Sequence, residues 1–181
     1  MDAVDLLIHP TRIRIVYALA GARALTSAEL HARIPQVPKA TLYRHIATLA
    51  QHGVLEVVGE RRVRGAVERT YRLRGERGVI TVEESARMTG EDHRRSFSAA
   101  VAALLSEFNA YLASPGASPV RDAVGYRHFT LWLSDEEKAQ AIAELQRLVL
   151  GLAQRPPVPD RRPHLLSAIF FPLATAEDGP P

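Results

Sequence analysis

Cysteine is absent from all 181 residues. The thiolate is both the soft metal ligand and the redox-active form of that side chain, so thiolate metal sensing and a thiol-based switch are excluded. No run approaches the roughly 18 uninterrupted apolar residues that a membrane helix needs. The start, Met1-Asp2-Ala3-Val4-Asp5, is acidic and lacks the basic flank of a secretory signal. A cytoplasmic protein without a membrane partner is expected. Also missing are a glycine-rich phosphate loop in strand-to-helix context, an HExxH pair and a GxSxG elbow. Glu83-Glu84 and Asp135-Glu136-Glu137 are acidic, but they sit where a helix N-terminus favours negative charge anyway. Catalysis is therefore not expected, and no cofactor is implied. Of the histidines, His93, His128 and His164 show no i, i+4 pair and no carboxylate at fixed spacing, so no metal site is expected. His9 and His45 fall inside N-terminal helices, where packing or a backbone contact accounts for them.

What is present is unevenly distributed. Residues 1–80 hold 13 basic and 7 acidic side chains, a net charge of +6, whereas residues 81–181 hold 10 and 13, a net charge of −3. Phosphate attraction needs the first kind of surface and is opposed by the second. If the chain touches nucleic acid, the N-terminal half does so. An apolar content of 46% is ordinary for a soluble globular protein, and the length suits one large or two small domains.

The stretch Leu25 to Leu73 carries the strongest local pattern. Thr26-Ser27-Ala28-Glu29-Leu30 opens a short helix with capping-box spacing, and Ile34-Pro35-Gln36-Val37 breaks it. Pro38 suits the first turn of the next helix and Gly53 its C-terminal cap. Between them Leu42, Ile46 and Leu49 share one face at helical spacing, which leaves Lys39, Ala40, Tyr43, Arg44 and Ala47 pointing away. This is the division of labour of a recognition helix. After Gly53 the pattern becomes strand-like, Val54 to Val58 and then Glu60 to Leu73, with Gly65 near the turn. Arginines at the tip of such a hairpin either solvate it or follow a nucleic-acid backbone. Directly behind a recognition helix, Arg61, Arg62 and Arg64 are expected to do the second. Lys39 and Thr41 are expected to position phosphates, and Tyr43 and Arg44 to reach base edges.

The residues Leu6-Leu7-Ile8-His9-Pro10-Thr11-Arg12-Ile13-Arg14-Ile15 with Ala18-Leu19, then Ala40-Thr41-Leu42-Tyr43-Arg44-His45-Ile46, then Gly53-Val54-Leu55, resemble the winged-helix module of bacterial ArsR-type repressors, most of all the branch with an extra C-terminal domain. The resemblance covers residues 1 to about 77. It implies a homodimer that binds a double-stranded DNA operator as a repressor and changes its grip when an effector arrives. Many members of that family sense metals through cysteine, and here this chain departs from the pattern. An organic effector is the expectation that remains. The competing class is a winged helix that binds protein and has lost DNA contact.

The C-terminal half reads as helix, strand, helix, strand. Thr89-Gly90-Glu91-Asp92 starts a long helix in which Phe97, Val101, Leu104, Leu105, Phe108, Tyr111 and Leu112 recur at spacings of three and four. That stripe either packs on its own domain or forms part of a dimer interface. The second is favoured, with Phe97, Val101, Leu104, Leu105 and Phe108 as candidates, joined by a first helix near Leu6 to Leu19. Arg127 to Leu133 reads as a strand, Ser134 with Glu137 caps a helix running to about Ala153, and His164 to Leu173 reads as a second strand. Phe129, Leu131, Trp132, Phe170 and Phe171 are either core or the walls of a pocket for an apolar effector. The expected fold class is mainly α with small β (α+β). The expected domains are a winged helix over 1–77, a dimerisation and effector domain over 78–174, and a disordered tail over 175–181.

Overall fold

The computed structural model describes residues 3–21, 23–63, 65–75, 80–155 and 158–174. The expected tail at 175–181 and the wing-tip Arg64 lie outside them. The fold is α+β. Helices α1 (Ala3–Leu7), α2 (Pro10–Leu19), α3 (Ser27–Arg33) and α4 (Lys39–Gln51) surround one end of a three-stranded antiparallel sheet made of β1 (Leu25–Thr26), β2 (Leu55–Val63) and β3 (Ala66–Leu73). The strand order is β1-β3-β2. Then follow α5 (Val82–Ser85), α6 (Gly90–Leu112) and α7 (Asp135–Ala153).

Local chemistry explains most of these boundaries. Thr26 Oγ1 accepts the backbone N–H of Glu29 at 3.2 Å while the Glu29 carboxylate accepts the Thr26 N–H at 2.7 Å, so the capping box at the start of α3 is closed. Thr89 with Asp92 and Ser134 with Glu137 do the same for α6 and α7. Helix α4 stops in a Schellman turn. The Val54 N–H donates to the Leu49 carbonyl and the Gly53 N–H to the Ala50 carbonyl, with Gly53 at φ 72°, where a side chain would be strained. The expected first helix is split at His9, because Pro10 pushes the preceding residue out of the helical region. His9 sits at φ −103°, ψ 122°, and its Nδ1 accepts the Thr11 N–H at 3.1 Å to cap α2.

The core lies within residues 6–71. Ile15 and Leu19 of α2, Leu30 of α3, Ile34, and Leu42, Ile46 and Leu49 of α4 close on Leu55 and Tyr71 of the sheet. Each such aliphatic side chain contributes roughly 1.5–3 kcal/mol on burial. Helix α6 then packs on α2 through small residues, with Ala99 and Ala103 buried at the contact. Small side chains let the two helices approach closely, and the larger apolar residues of α6 face elsewhere.

The segments expected as strands, 127–133 and 164–173, join no ladder among the described residues. A strand exists only through hydrogen bonds to a neighbour, and neither segment has one within the described chain. Helix α7 forms with its predicted limits and buries none of its residues. The β structure of the described chain is therefore confined to its N-terminal part, and the helix-strand-helix-strand order expected beyond residue 78 is corrected to two long helices with unpaired segments after each.

Candidate nucleic-acid interface

Helix α4 presents two chemically distinct faces. Leu42, Ile46 and Leu49 are buried, and Lys39, Ala40, Tyr43, Arg44 and Ala47 are exposed, as the periodicity requires. Thr41 is half-buried. The Lys39 ammonium lies 5.5 Å from the centre of the Tyr43 ring, so these two side chains form one cationic and aromatic edge at the start of the helix. That start differs from those of α3, α5, α6 and α7, each closed by a capping box with an acid in the first turn. At α4 the N-cap is Pro38, no side chain accepts a first-turn amide, and the first turn contains a lysine instead of an acid. Positive charge and open amides at a helix N-terminus suit a phosphate.

His45 is the α4 residue whose environment the sequence conceals. It is 7% exposed, its ring centre lies 4.3 Å from that of His9, and its Nδ1 accepts from Arg12 Nε at 3.4 Å. Burial, then the neighbouring His9, Arg12 and Arg44, push its pKa down to about 4, so the ring is neutral near pH 7. Burial and the same arginines lower the pKa of His9 as well. The Arg12 guanidinium also donates to the carbonyls of Asp5 and Leu6, which ties the end of α1 to α4. This cluster fixes how the exposed face of α4 is held.

A second polar cluster joins α6 to the turn before α4. Arg14 is only 4% exposed; its Nε donates to Glu107 Oε1 at 2.5 Å and its Nη2 to Gln36 Oε1 at 3.0 Å. Nothing in the local sequence around Arg14 marks it as buried, because Glu107 lies 93 residues away.

The hairpin behind α4 carries its charges as cross-strand pairs. Arg61 lies opposite Glu68 and binds it at 2.8 Å, Glu60 lies opposite Arg69 at 2.7 Å, and Glu56 lies opposite Arg72 at 2.6 Å. Arg62 lies opposite Val67, and Gly65 turns the chain at φ 85°. Arg61 therefore differs from the expected free wing cation. Its pair is exposed and worth at most about 1 kcal/mol, weak enough for a phosphate to replace.

Residues 7–58 match the helix-turn-helix domain family. The N-terminal part of the chain is a helix-turn-helix domain. The match spans less than a third of the 181 residues, ends inside β2, and contains both helices of the motif together with Lys39, Thr41, Tyr43 and Arg44. It supports DNA binding of the transcription-regulator kind for the helix-turn-helix domain, and it stops short of Arg61 and Arg62. No curated protein matches the chain.

The C-terminal candidates are placed differently. On α6, Phe97, Val101 and Leu105 are exposed and Leu104 and Phe108 half-buried; together they form one stripe on the side of the helix turned away from Ala99 and Ala103. Phe129, Leu131, Trp132, Phe170 and Phe171 are all exposed, Trp132 at 89%, and the Phe171 ring lies edge-on to Phe97 at 6.3 Å. Among the described residues no cluster of three or more histidine or acidic side chains is placed to hold a metal ion, and no helix is long and apolar enough to cross a membrane.

Proposed function

We propose that this protein is a cytoplasmic transcriptional regulator of the ArsR-like kind, a repressor that grips a double-stranded operator as a homodimer. The observation that carries the reading is the two-faced α4 inside the helix-turn-helix match: a buried aliphatic face holds the helix, and Lys39, Tyr43 and Arg44 are left outward at its N-terminal half. In such motifs the N-terminal part of the second helix contacts base edges. Arg44 takes the role of a guanine reader, Tyr43 touches a thymine methyl or a phosphate, and Lys39 and Thr41 hold the backbone. Arg61, Arg62 and Arg64 of the wing follow the adjacent phosphates or minor groove.

The dimer forms through the outward stripe of α6, with Phe97, Val101, Leu104, Leu105 and Phe108 in its interface, and spaces the two α4 helices one DNA turn apart, roughly 34 Å. Control comes from a small organic molecule bound in the half that follows residue 78, with Phe129, Leu131, Trp132, Phe170 and Phe171 as its apolar contacts. No catalytic role is proposed.

Titration of a fluorescent duplex at low and high salt tests the reading. Phosphate binding by the basic half makes affinity fall steeply with salt. A protein-binding winged helix, the alternative, gives no duplex binding at low salt.

A further inference from the structure

We infer that the C-terminal arm, residues 124–155 and 158–173, is completed by a second copy of this chain, so that the half following the helix-turn-helix domain is built from two interlocked arms. The inference deepens the homodimer proposed above and rests on it.

The first observation is surface. The chain exposes 13581 Å², whereas a compact protein of 19.9 kDa exposes about 8,700 Å². The excess, roughly 4,900 Å², is shared with the residues outside those described and is far above the ~800 Å² per partner of an ordinary interface. It is also located. Among the described residues, every buried apolar side chain precedes residue 104, and the arm supplies none of them. The stripe Ile142, Leu145, Leu148 and Leu152 of α7 stands exposed, as do Leu131 and Trp132 before it and Leu166 and Phe170 after it.

The second observation is backbone. No backbone-to-backbone hydrogen bond among the described residues engages 125–133 or 162–174, although both stretches have strand-like composition. Two strands from one chain would make a sheet too thin to stand alone, whereas two copies supply four, enough for a stable sheet with α7 laid on its apolar face. That arithmetic favours a second copy over an unrelated partner.

The third observation is how the arm is tethered. At its start Tyr111 donates to Asp122 at 2.7 Å and Tyr126 packs edge-on against Phe108 at 6.0 Å; near its end Phe171 meets Phe97. Phe97 and Phe108 belong to the outward stripe of α6 and lie about 16 Å apart along that helix. The arm is thus fastened at both ends to the helix face already proposed as the dimer contact. Between the fastenings it holds its apolar side chains open. A second α6 with its own arm is self-complementary to that opening, as a two-fold interface requires.

The single tryptophan, Trp132, reports on the arm. In the full-length protein, sedimentation at micromolar concentration is expected to give twice the chain mass, with blue-shifted Trp132 emission shielded from acrylamide. On dilution, or in Leu105→Glu, whose substitution lies on α6 and outside the arm, monomer formation and exposure of Trp132 are expected together. Circular dichroism and low-salt duplex binding report whether the helix-turn-helix domain of that variant is folded; if it is not, dilution of the unmodified protein provides the same reading. A monomer with shielded Trp132 means that the arm folds on its own chain and overturns the inference. A dimer with exposed Trp132 also overturns it while leaving the α6 dimer standing. A monomer with exposed Trp132 overturns both. Loss of duplex binding in an intact dimer with shielded Trp132 would count against the DNA reading and uphold the interlocked arm.

Discussion

Glu107→Ala removes the carboxylate that faces the buried Arg14 guanidinium. Arg14 is 4% exposed and keeps one other acceptor, Gln36 Oε1 at 3.0 Å, so its charge is left largely uncompensated. Breaking a fully buried pair typically costs about 3–5 kcal/mol. Glu107 retains 30% exposure, which lets water replace part of the lost carboxylate, and the expected cost falls to about 1.5–3 kcal/mol. Arg14→Met keeps most of the apolar stem that packs between α2 and α6 while deleting the charge. In the double variant no charge remains buried, so its stability is expected to lie closer to the parent than the sum of the two single losses. The coupling energy should be about 1–3 kcal/mol. Urea unfolding of the four proteins at one fixed concentration, with m-values checked for constancy, supplies the cycle; fixed concentration matters because a dimer's stability depends on it. Additivity within about 0.5 kcal/mol would refute the claim that this pair joins α6 to the helix-turn-helix domain.

Acid is expected to destabilise the protein in a window set by His45. Its pKa is about 4 in the folded chain against 6.5 when unfolded, so the unfolded state binds the extra proton; the stabilisation is complete above about pH 6.5 and is lost as pH falls towards 4. Between pH 7 and pH 5 the loss should be about 2 kcal/mol, before most carboxylates titrate, and His45→Gln should flatten it; an unchanged pH profile in that variant would contradict the buried neutral ring. Further acidification should erode the capping boxes, since Glu29, Asp92 and Glu137 are held below the usual carboxylate range by hydrogen bonds from Thr26, Thr89 and Ser134. In the wing, replacing Arg61, Arg62 and Arg64 together with Ala should lower the slope of log affinity against log salt by about 2 to 3. An unchanged slope would return these arginines to solvent.

What was legible in the sequence was what neighbours within a few residues decide. Thr26 with Glu29, Ser134 with Glu137, and the Pro38 to Gly53 frame of α4 specify helix limits through bonds that close locally, and the exposed and buried faces of α4 follow from spacing alone. Burial of Arg14 and His45 was not legible, because their partners come from α6 and from the break between α1 and α2. The pairing of Arg61 with Glu68 required the hairpin register, which a bulge between Val57 and Gly59 shifts. Segments 127–133 and 164–173 have strand composition, but composition names no hydrogen-bonding partner. On α6 the seam on α2 is made by the small residues Ala99 and Ala103, so the conspicuous apolar stripe is the face left outward.

The central claim is that the outward face of α4 reads duplex DNA. Its most direct test is selection of bound sequences from a random duplex library, followed by affinity measurement for parent and Arg44→Ala on the selected site and on its single-base variants. The account predicts that Arg44→Ala costs roughly 1 to 3 kcal/mol and relaxes preference at one defined base position. Full affinity and full preference in Arg44→Ala, or no enriched sequence from the parent, would contradict it.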